Sequence, residues 1–161
     1  MQLVRIERTA TGFALDPRPY LARLPALRPE LPPGAEAFAT DPAHYDFASE
    51  RCVKDLKLAS LVVTEDAVVL RCSFNDVAPE QLVIRYTGVT ALLIEAAPPT
   101  GAGGPTGPDG QDGLRERLGP LQLDEVLPHP HGCTHELGHI GGTVRITAGD
   151  LTATWLPRPP A

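Results

Sequence analysis

Hydrophobic and polar residues alternate along much of this chain with the two-residue period that is typical of β-strands. Near the start, residues 2–8 and 11–15 resemble two strands with Gly12 near the turn between them, which predicts a β-hairpin. The alternation stops after this hairpin and returns further along the chain. The chain is therefore expected to combine a short segment of other structure with a larger amount of β-sheet.

The segment between these two β regions has leucines at helical spacing. Asp16-Pro17 offers an N-cap followed by a proline suited to the first helical turn. Pro25 and Pro29 would interrupt a regular helix because proline lacks the backbone N–H. One short helix followed by irregular turns is therefore predicted, and residues 35–39 are compatible with another helical turn.

From residue 55 to residue 95 the alternation predicts successive strands. Glu65-Asp66 and Gly88 mark turns between them, and strands joined in this way form an antiparallel meander. Two later segments, 121–126 and 133–155, resume the same pattern. The predicted fold class is α+β, an antiparallel β-sheet built from a meander and hairpins, with a short N-terminal helical segment.

Residues 97–113 interrupt the β pattern. Glycine and proline dominate this segment, and it contains no large apolar side chain, so it has little to bury against the entropy of ordering. A flexible Gly/Pro-rich loop is predicted here. The alternative of a phosphate-binding loop lacks the Walker spacing and its lysine.

Length and composition fit one domain that covers residues 1–161. Hydrophobic residues make up 42% of the chain, which suits a globular core. No apolar run approaches the roughly 20 residues that span a bilayer, and residues 1–8 lack the apolar block of a signal peptide. A cytoplasmic location without a membrane partner is therefore expected.

The net charge of −6 argues against a nucleic-acid partner. A phosphate-binding surface needs clustered Lys and Arg side chains. In this chain the arginines are interleaved with acids and prolines, and the only lysines are Lys54 and Lys57. Any macromolecular partner is therefore expected to be another protein.

The cysteines predict neither a zinc motif nor a redox motif. Cys52, Cys72 and Cys133 are an odd number and lack Cys-x-x-Cys spacing. Cys72 lies among apolar residues, which indicates a buried reduced thiol. We expect all of them to remain without disulfide bonds in the cell.

Three stretches together resemble a group of short proteins from GC-rich bacteria for which no activity is known. They are 44–56, which contains His-Tyr-Asp-Phe, 82–90, with Leu-Val-Ile-Arg-Tyr-Thr-Gly-Val-Thr, and 118–133, which begins Leu-Gly-Pro. The resemblance covers the C-terminal two-thirds of the chain and implies an α+β fold. Some small α+β proteins of this general style are immunity proteins, which block a partner toxin.

Residues 135–139 spell the His-Glu-x-x-His motif of zinc proteases. On a helix the two histidines would share one face and bind one zinc ion, with Glu136 beside them as general base. The match extends to Gly142, but Arg145 stands where the longer form of the motif has a third histidine, and no glutamate follows. Prolines before the motif and glycines within and after it disfavour a helix.

The alternative is that residues 133–140 form a strand that turns back at Gly141-Gly142. Alternate side chains on a strand share a face, and imidazole binds several transition metals. The candidate ligands of such a strand-type metal site are His131, Cys133, His135 and His139, to which His129 could add from the loop. The same row can equally be a polar face with a buried cysteine.

The remaining acidic residues are interpreted as turn or surface carboxylates. They include Glu65-Asp66, Asp109 to Asp112 and Asp124-Glu125. His44 could form an acid–base group with nearby acids, but their spacing does not demand it, and ordinary burial statistics favour a solvated surface. Those acids are Asp46, Glu50 and Asp55.

These observations lead to two hypotheses about function. The first is a non-catalytic protein that binds another protein, of the immunity type, without a catalytic residue or a cofactor. The alternative is a zinc-dependent metallohydrolase that uses the motif at 135–139, with Glu136 as its base. The identity of the partner or substrate and the oligomeric state are left open by the sequence.

Overall fold

The computed structural model describes residues 1–74, 78–98 and 113–158. Its first element is the predicted hairpin, in which β1 (Arg5–Thr9) pairs antiparallel with β2 (Gly12–Asp16). Gly12 has a φ of +149°, a backbone conformation that residues with a Cβ rarely adopt. The hairpin is therefore confirmed, although its first strand begins three residues later than the pattern predicts.

The helical segment is longer than the prolines predict. Helix α1 (Arg18–Leu27) continues through Pro25, and the 3-10 turn Arg28–Glu30 and helix α2 (Pro33–Ala39) follow it. Pro25 lies in the last turn of α1, where only a single helical hydrogen bond is lost. The short helix and the helical turn near 35–39 are therefore confirmed, although a 3-10 turn follows the helix where irregular turns are predicted.

The first of two four-stranded antiparallel sheets contains the first three strands of the predicted meander. Its strands are β3 (Lys57–Val63), β4 (Ala67–Ser73), β5 (Glu80–Thr87) and β10 (Asp150–Pro157). Their order in the sheet is β10-β5-β4-β3. The turn at Glu65-Asp66 joins β3 to β4 as predicted.

The second sheet contains β6 (Ala91–Ala96), β7 (Leu121–His129), β8 (Gly132–His139) and β9 (Gly142–Ala148). Their order in the sheet is β6-β9-β8-β7. The chain leaves the first sheet after Gly88, so β6 pairs with β9 in the second sheet instead of extending the first one. Sequence alternation shows where a strand lies but not its neighbour, and this explains why the single meander over 55–95 is a wrong prediction.

A short helix, α3 (Leu114–Leu118), precedes β7 and was not predicted. It ends at Gly119, whose φ is +67°. Leu118 is fully buried. Most of the Gly/Pro-rich segment 97–113 lies outside the described residues.

Both sheets and the helices contribute to one buried core. The fold is thus α+β with antiparallel sheets, as predicted. No helix in the described ranges is long and apolar enough to cross a membrane. The three cysteines are buried free thiols, and burial raises the pKa of Cys72 to about 12 and that of Cys133 to about 11.

Candidate functional site

The His-Glu-x-x-His segment lies on strand β8, as the strand hypothesis predicts. His135 pairs with Val126 of β7 and with Ile146 of β9, so the segment is in the middle of the second sheet. The chain turns back at Ile140-Gly141, one residue earlier than predicted, since His139 already pairs with Gly142. Four residues of extended strand span about 13 Å, so the two histidines do not converge as they do on a helical turn.

His135 points into the core, where the chain excludes water from it completely. Its Nε2 lies 2.8 Å from Oδ2 of Asp124, and its Nδ1 lies 2.7 Å from the hydroxyl of Tyr86 on the opposite sheet. A carboxylate accepts only, so Nε2 carries a proton and donates to Asp124, while Nδ1 shares a hydrogen bond with the tyrosine hydroxyl. Both ring nitrogens of His135 are therefore already engaged.

Glu136 points to the opposite face of the strand. Its Oε2 accepts hydrogen bonds from the guanidinium of Arg145 at 3.0 Å, and its Oε1 accepts from the amino group of Met1. Since adjacent residues of a strand face opposite ways, this carboxylate cannot act as base for a metal held by its neighbour His135. It forms a local ion cluster on the outer face of the sheet instead.

The third residue of the motif, His139, is at the end of the strand. Its Nδ1 donates to the carbonyl oxygen of Gly119 at 2.9 Å. Burial lowers the pKa of His139 and outweighs the opposite effect of this hydrogen bond. The ring is therefore neutral, and its hydrogen bond connects β8 to the turn that precedes β7.

The other candidate metal ligands do not join His135 in one cluster. Cys133 is buried on the same strand, whereas His131 is exposed in the preceding turn, and its backbone N–H donates to His129. Within the three described ranges, no group of three or more His, Cys, Asp or Glu side chains is arranged to hold a metal ion. Alternation thus places Cys133, His135 and His139 on one face of β8, whereas His131 lies outside the strand.

The polar centre of the protein is Asp124, a fully buried carboxylate on β7. Its Oδ1 lies 2.7 Å from Nε2 of His44, and its Oδ2 contacts His135. The Nδ1 of His44 in turn faces the carbonyl oxygen of Phe38 at 2.9 Å. The chain of hydrogen bonds runs from Phe38 through His44, Asp124 and His135 to Tyr86, and we call its four side chains His44, Asp124, His135 and Tyr86 the buried network.

The hydrogen bonds determine the charges in the buried network. Both nitrogens of His44 face acceptors, so both carry protons and the ring is an imidazolium. Burial opposes this charge, but the negative charge of Asp124 and the two hydrogen bonds outweigh it and raise the pKa of His44. Burial would likewise raise the pKa of Asp124, yet His44 and His135 hold it well below its usual range. The buried network therefore contains an ion pair between His44 and Asp124.

Two tyrosines close the edge of strand β7 beside this ion pair. The hydroxyl of Tyr20 donates to the carbonyl of Val126 at 2.8 Å and accepts from its N–H at 3.3 Å, and that of Tyr45 donates to the carbonyl of Asp124 at 2.6 Å. Burial raises the pKa of both hydroxyls, so they remain donors. Helix α1 and the turn after α2 thereby satisfy backbone groups that an open edge would leave exposed.

Sequence reasoning placed these acids incorrectly. Asp124 and Glu125 were interpreted as turn or surface carboxylates, yet both are buried, at 0% and 1% exposure. The carboxylate that binds His44 is Asp124, eighty positions away, and not one of the nearby acids considered in the sequence. The available signal was that these two adjacent acids lie between apolar residues of one strand, Leu123 and Val126. Burial of such a strand requires each carboxylate to have a partner.

The side chains of the buried network are arranged to stabilise the fold. Each side-chain nitrogen and oxygen of the buried network has a hydrogen-bond partner within the protein. The ring of Phe38 lies 4.3 Å from that of His44 and 5.6 Å from that of His135, centroid to centroid. No protein family, no curated protein and no solved structure matches this chain. Function must therefore be inferred from the surface and the site alone.

Proposed function

We propose that this chain is a non-catalytic protein that binds another protein, of the immunity type. The observation that supports this is the state of the His-Glu-x-x-His residues. His135 is enclosed in the buried network, Glu136 is paired with Arg145, and His139 is bound to a backbone carbonyl. These side chains stabilise the fold, and this favours a protein that acts by binding a partner at its surface.

One surface suits a protein partner. A groove of about 280 Å³ lies between helix α1 and the turn that follows α2. It is lined by Leu21, Leu24, Ala39, Thr40, Asp41, Pro42, Tyr45 and Asp46. Leu21 is 39% exposed, and Phe47, next along the chain after Asp46, is 49% exposed. Partly exposed apolar side chains beside carboxylates suit an apolar anchor flanked by basic residues.

The net charge of the chain also suits a partner with a basic surface. A net charge of −6 attracts a basic surface over several ångströms and raises the rate of encounter. An acidic blocker of a basic toxin would use this attraction together with an apolar anchor. The zinc-hydrolase alternative lacks such support because its general base and its histidines face different sides of one sheet.

A capture experiment tests the proposal. The immobilised full-length chain is compared with a variant that carries Leu21→Glu and Phe47→Ser and with a control variant, Leu156→Ser, whose 40% exposure matches that of Leu21. We expect a basic protein to be retained by the wild type and the control but not by the groove variant. For the immunity type, that protein should arrest growth alone and be harmless when the wild-type chain is co-expressed.

Two results would contradict the proposal. The first is a partner retained equally by the groove variant. The second is stoichiometric zinc that resists chelators in protein purified without a histidine tag, together with hydrolytic activity that Glu136→Gln abolishes. The second result would restore the metallohydrolase hypothesis.

A further inference from the structure

A cavity of about 290 Å³ lies between helix α2 and the edge strand β10. Ala37, Phe38 and Asp41 line it from the helix and the turn that follows, and Ala153 and Trp155 line it from the strand. We call it the Trp155 cavity. Its volume is near the lower end of the roughly 300–1,000 Å³ that is typical of ligand pockets, so it suits one side chain of a partner better than a longer segment.

The helical wall of the Trp155 cavity is fixed at both ends. At its start, the carboxylate of Asp150 accepts hydrogen bonds from the backbone N–H groups of Gly34 at 3.1 Å and Ala35 at 2.9 Å. A Cβ at Gly34 would collide with the backbone of β10, so glycine permits this close approach. At its end, the carbonyl of Phe38 binds Nδ1 of His44. The cavity is therefore preformed, which lowers the entropic cost of binding.

Aromatic rings and one carboxylate give the Trp155 cavity its chemistry. Phe38 and Trp155 are both partly buried and reach the cavity from different elements. Asp41 is exposed, and its Oδ1 accepts the N–H of Ala43 at 2.8 Å. In the part of the chain that the structure describes, its Oδ2 has no hydrogen-bond or ion-pair partner. Aromatic faces beside a carboxylate favour a guanidinium, which stacks on rings and pairs with carboxylates.

We propose that the Trp155 cavity binds an arginine side chain of the partner protein. This inference rests on the proposed function, because Asp41 lines both this cavity and the groove beside α1. A partner that places an apolar anchor in the groove can therefore place a neighbouring basic residue in the cavity. Lysine would satisfy the carboxylate, but its ammonium lacks the planar group that stacks on a ring. The net charge of −6 attracts the same basic surface.

The fluorescence of Trp155, the single tryptophan of the chain, reports binding to the purified full-length protein. The probe is N-acetylarginine amide, and its control is N-acetylcitrulline amide, which has nearly the same shape without the charge. Both are titrated at constant ionic strength. We expect a saturable change with a millimolar dissociation constant for the arginine probe. The citrulline probe should bind about fivefold more weakly, because it loses the charge contact with the carboxylate.

Three variants test where the arginine probe binds. Asp41→Asn removes the charge but keeps an oxygen for the N–H of Ala43, and binding should weaken about fivefold. Asp46→Asn is the matched control, since Asp46 accepts the N–H of Ala48 in the same way at 3.0 Å and does not line the cavity. It should bind the probe like the wild type. Ala37→Leu fills the cavity from an exposed helical position and should abolish the response with an unchanged circular dichroism spectrum.

Unchanged tryptophan fluorescence at a large excess of the arginine probe would overturn the proposal. Equal binding of the citrulline probe, or equal binding to Asp41→Asn, would overturn it as well. In the capture experiment, Ala37→Leu should also weaken retention of the basic partner. A partner that is captured although the probe does not bind would contradict the arginine site and leave the proposed function intact. A probe that binds although no partner is captured would instead contradict the proposed function.

Discussion

Strands β7 and β8 carry acidic residues on both faces, and the two faces use them differently. On the inner face, Asp124 is surrounded by His44 and His135 in the dry core. On the outer face, Glu125 accepts hydrogen bonds from the backbone N–H groups of residues 2, 3 and 4, at 2.9 Å and 3.0 Å for the last two. Its cross-strand neighbour Glu136 binds Arg145 and the amino group of Met1.

The comparison shows how neighbouring carboxylates acquire different roles. The inner carboxylate forms a charge pair between side chains, so removing either partner leaves an unpaired charge in the core. The outer carboxylates attach a backbone segment to the sheet, so their loss should release that segment and leave the core intact. Variants of the inner carboxylate should therefore destabilise the protein more than variants of the outer carboxylates.

The largest effect is expected for Asp124→Asn. This change leaves the His44 imidazolium without its counter-charge in a fully buried position, and we expect a loss of about 3–5 kcal/mol in the free energy of unfolding. Urea denaturation followed by circular dichroism measures it. Glu125→Gln makes the same change of charge one residue along the strand. If Asp124→Asn lowers the free energy of unfolding by less than Glu125→Gln does, the buried network does not contain the ion pair.

Glu125→Gln should have a smaller and more local effect. The amide keeps one acceptor oxygen but loses the charge that binds three backbone N–H groups, at a cost of about 1.5–3 kcal/mol. Hydrogen exchange should accelerate at the amides of residues 2–4 before it does in β8. Uniform acceleration throughout the second sheet would contradict a local role for Glu125.

The pH dependence should distinguish two histidines with opposite shifts. The pKa of His44 is raised above its ordinary value of 6.5, so its stabilisation is complete below that value and is lost as the pH rises through its folded pKa. Burial lowers the pKa of His139, so its contribution is complete above 6.5 and is lost as the pH falls toward its folded pKa. Each slope is at most about 1.4 kcal/mol per pH unit.

Urea midpoints of the wild type and of His139→Gln, measured on both sides of neutrality, separate these two contributions. Glutamine can still donate to the carbonyl of Gly119 but does not titrate. The variant should therefore lose the histidine part of the decline on the acid side and keep the decline on the alkaline side. An unchanged acid side would assign that decline to other groups.

The smallest effect is expected for Arg145→Met, which removes the partner of Glu136 on the outer face. Arg145 is about half exposed, and pairs of this kind contribute about 0–1 kcal/mol. Thermal denaturation should therefore shift by no more than a few degrees. A loss as large as that of Asp124→Asn would mean that the outer ion cluster, like the inner one, supports the core.

The sequence alone predicts much of the local structure of this protein. The two-residue period located most of the strands, and the glycines and prolines around residues 135–139 correctly predicted a strand where the motif suggests a helix. These features depend on neighbours in the chain, and local propensity and alternation report them directly. A strand also places His135 and Glu136 on opposite faces of the sheet, because the side chains of adjacent residues alternate.

Only the tertiary structure decided which strands are neighbours and which charges meet. His44 and Asp124 are brought together by the packing of the turn after α2 against β7, and Tyr86 reaches His135 from the other sheet. A shift of register between Leu121 and Leu123 also changes which residues of β7 face inward. Contacts between distant residues depend on topology and register, which a local pattern does not contain, and for this reason the buried ion pair was invisible in the sequence.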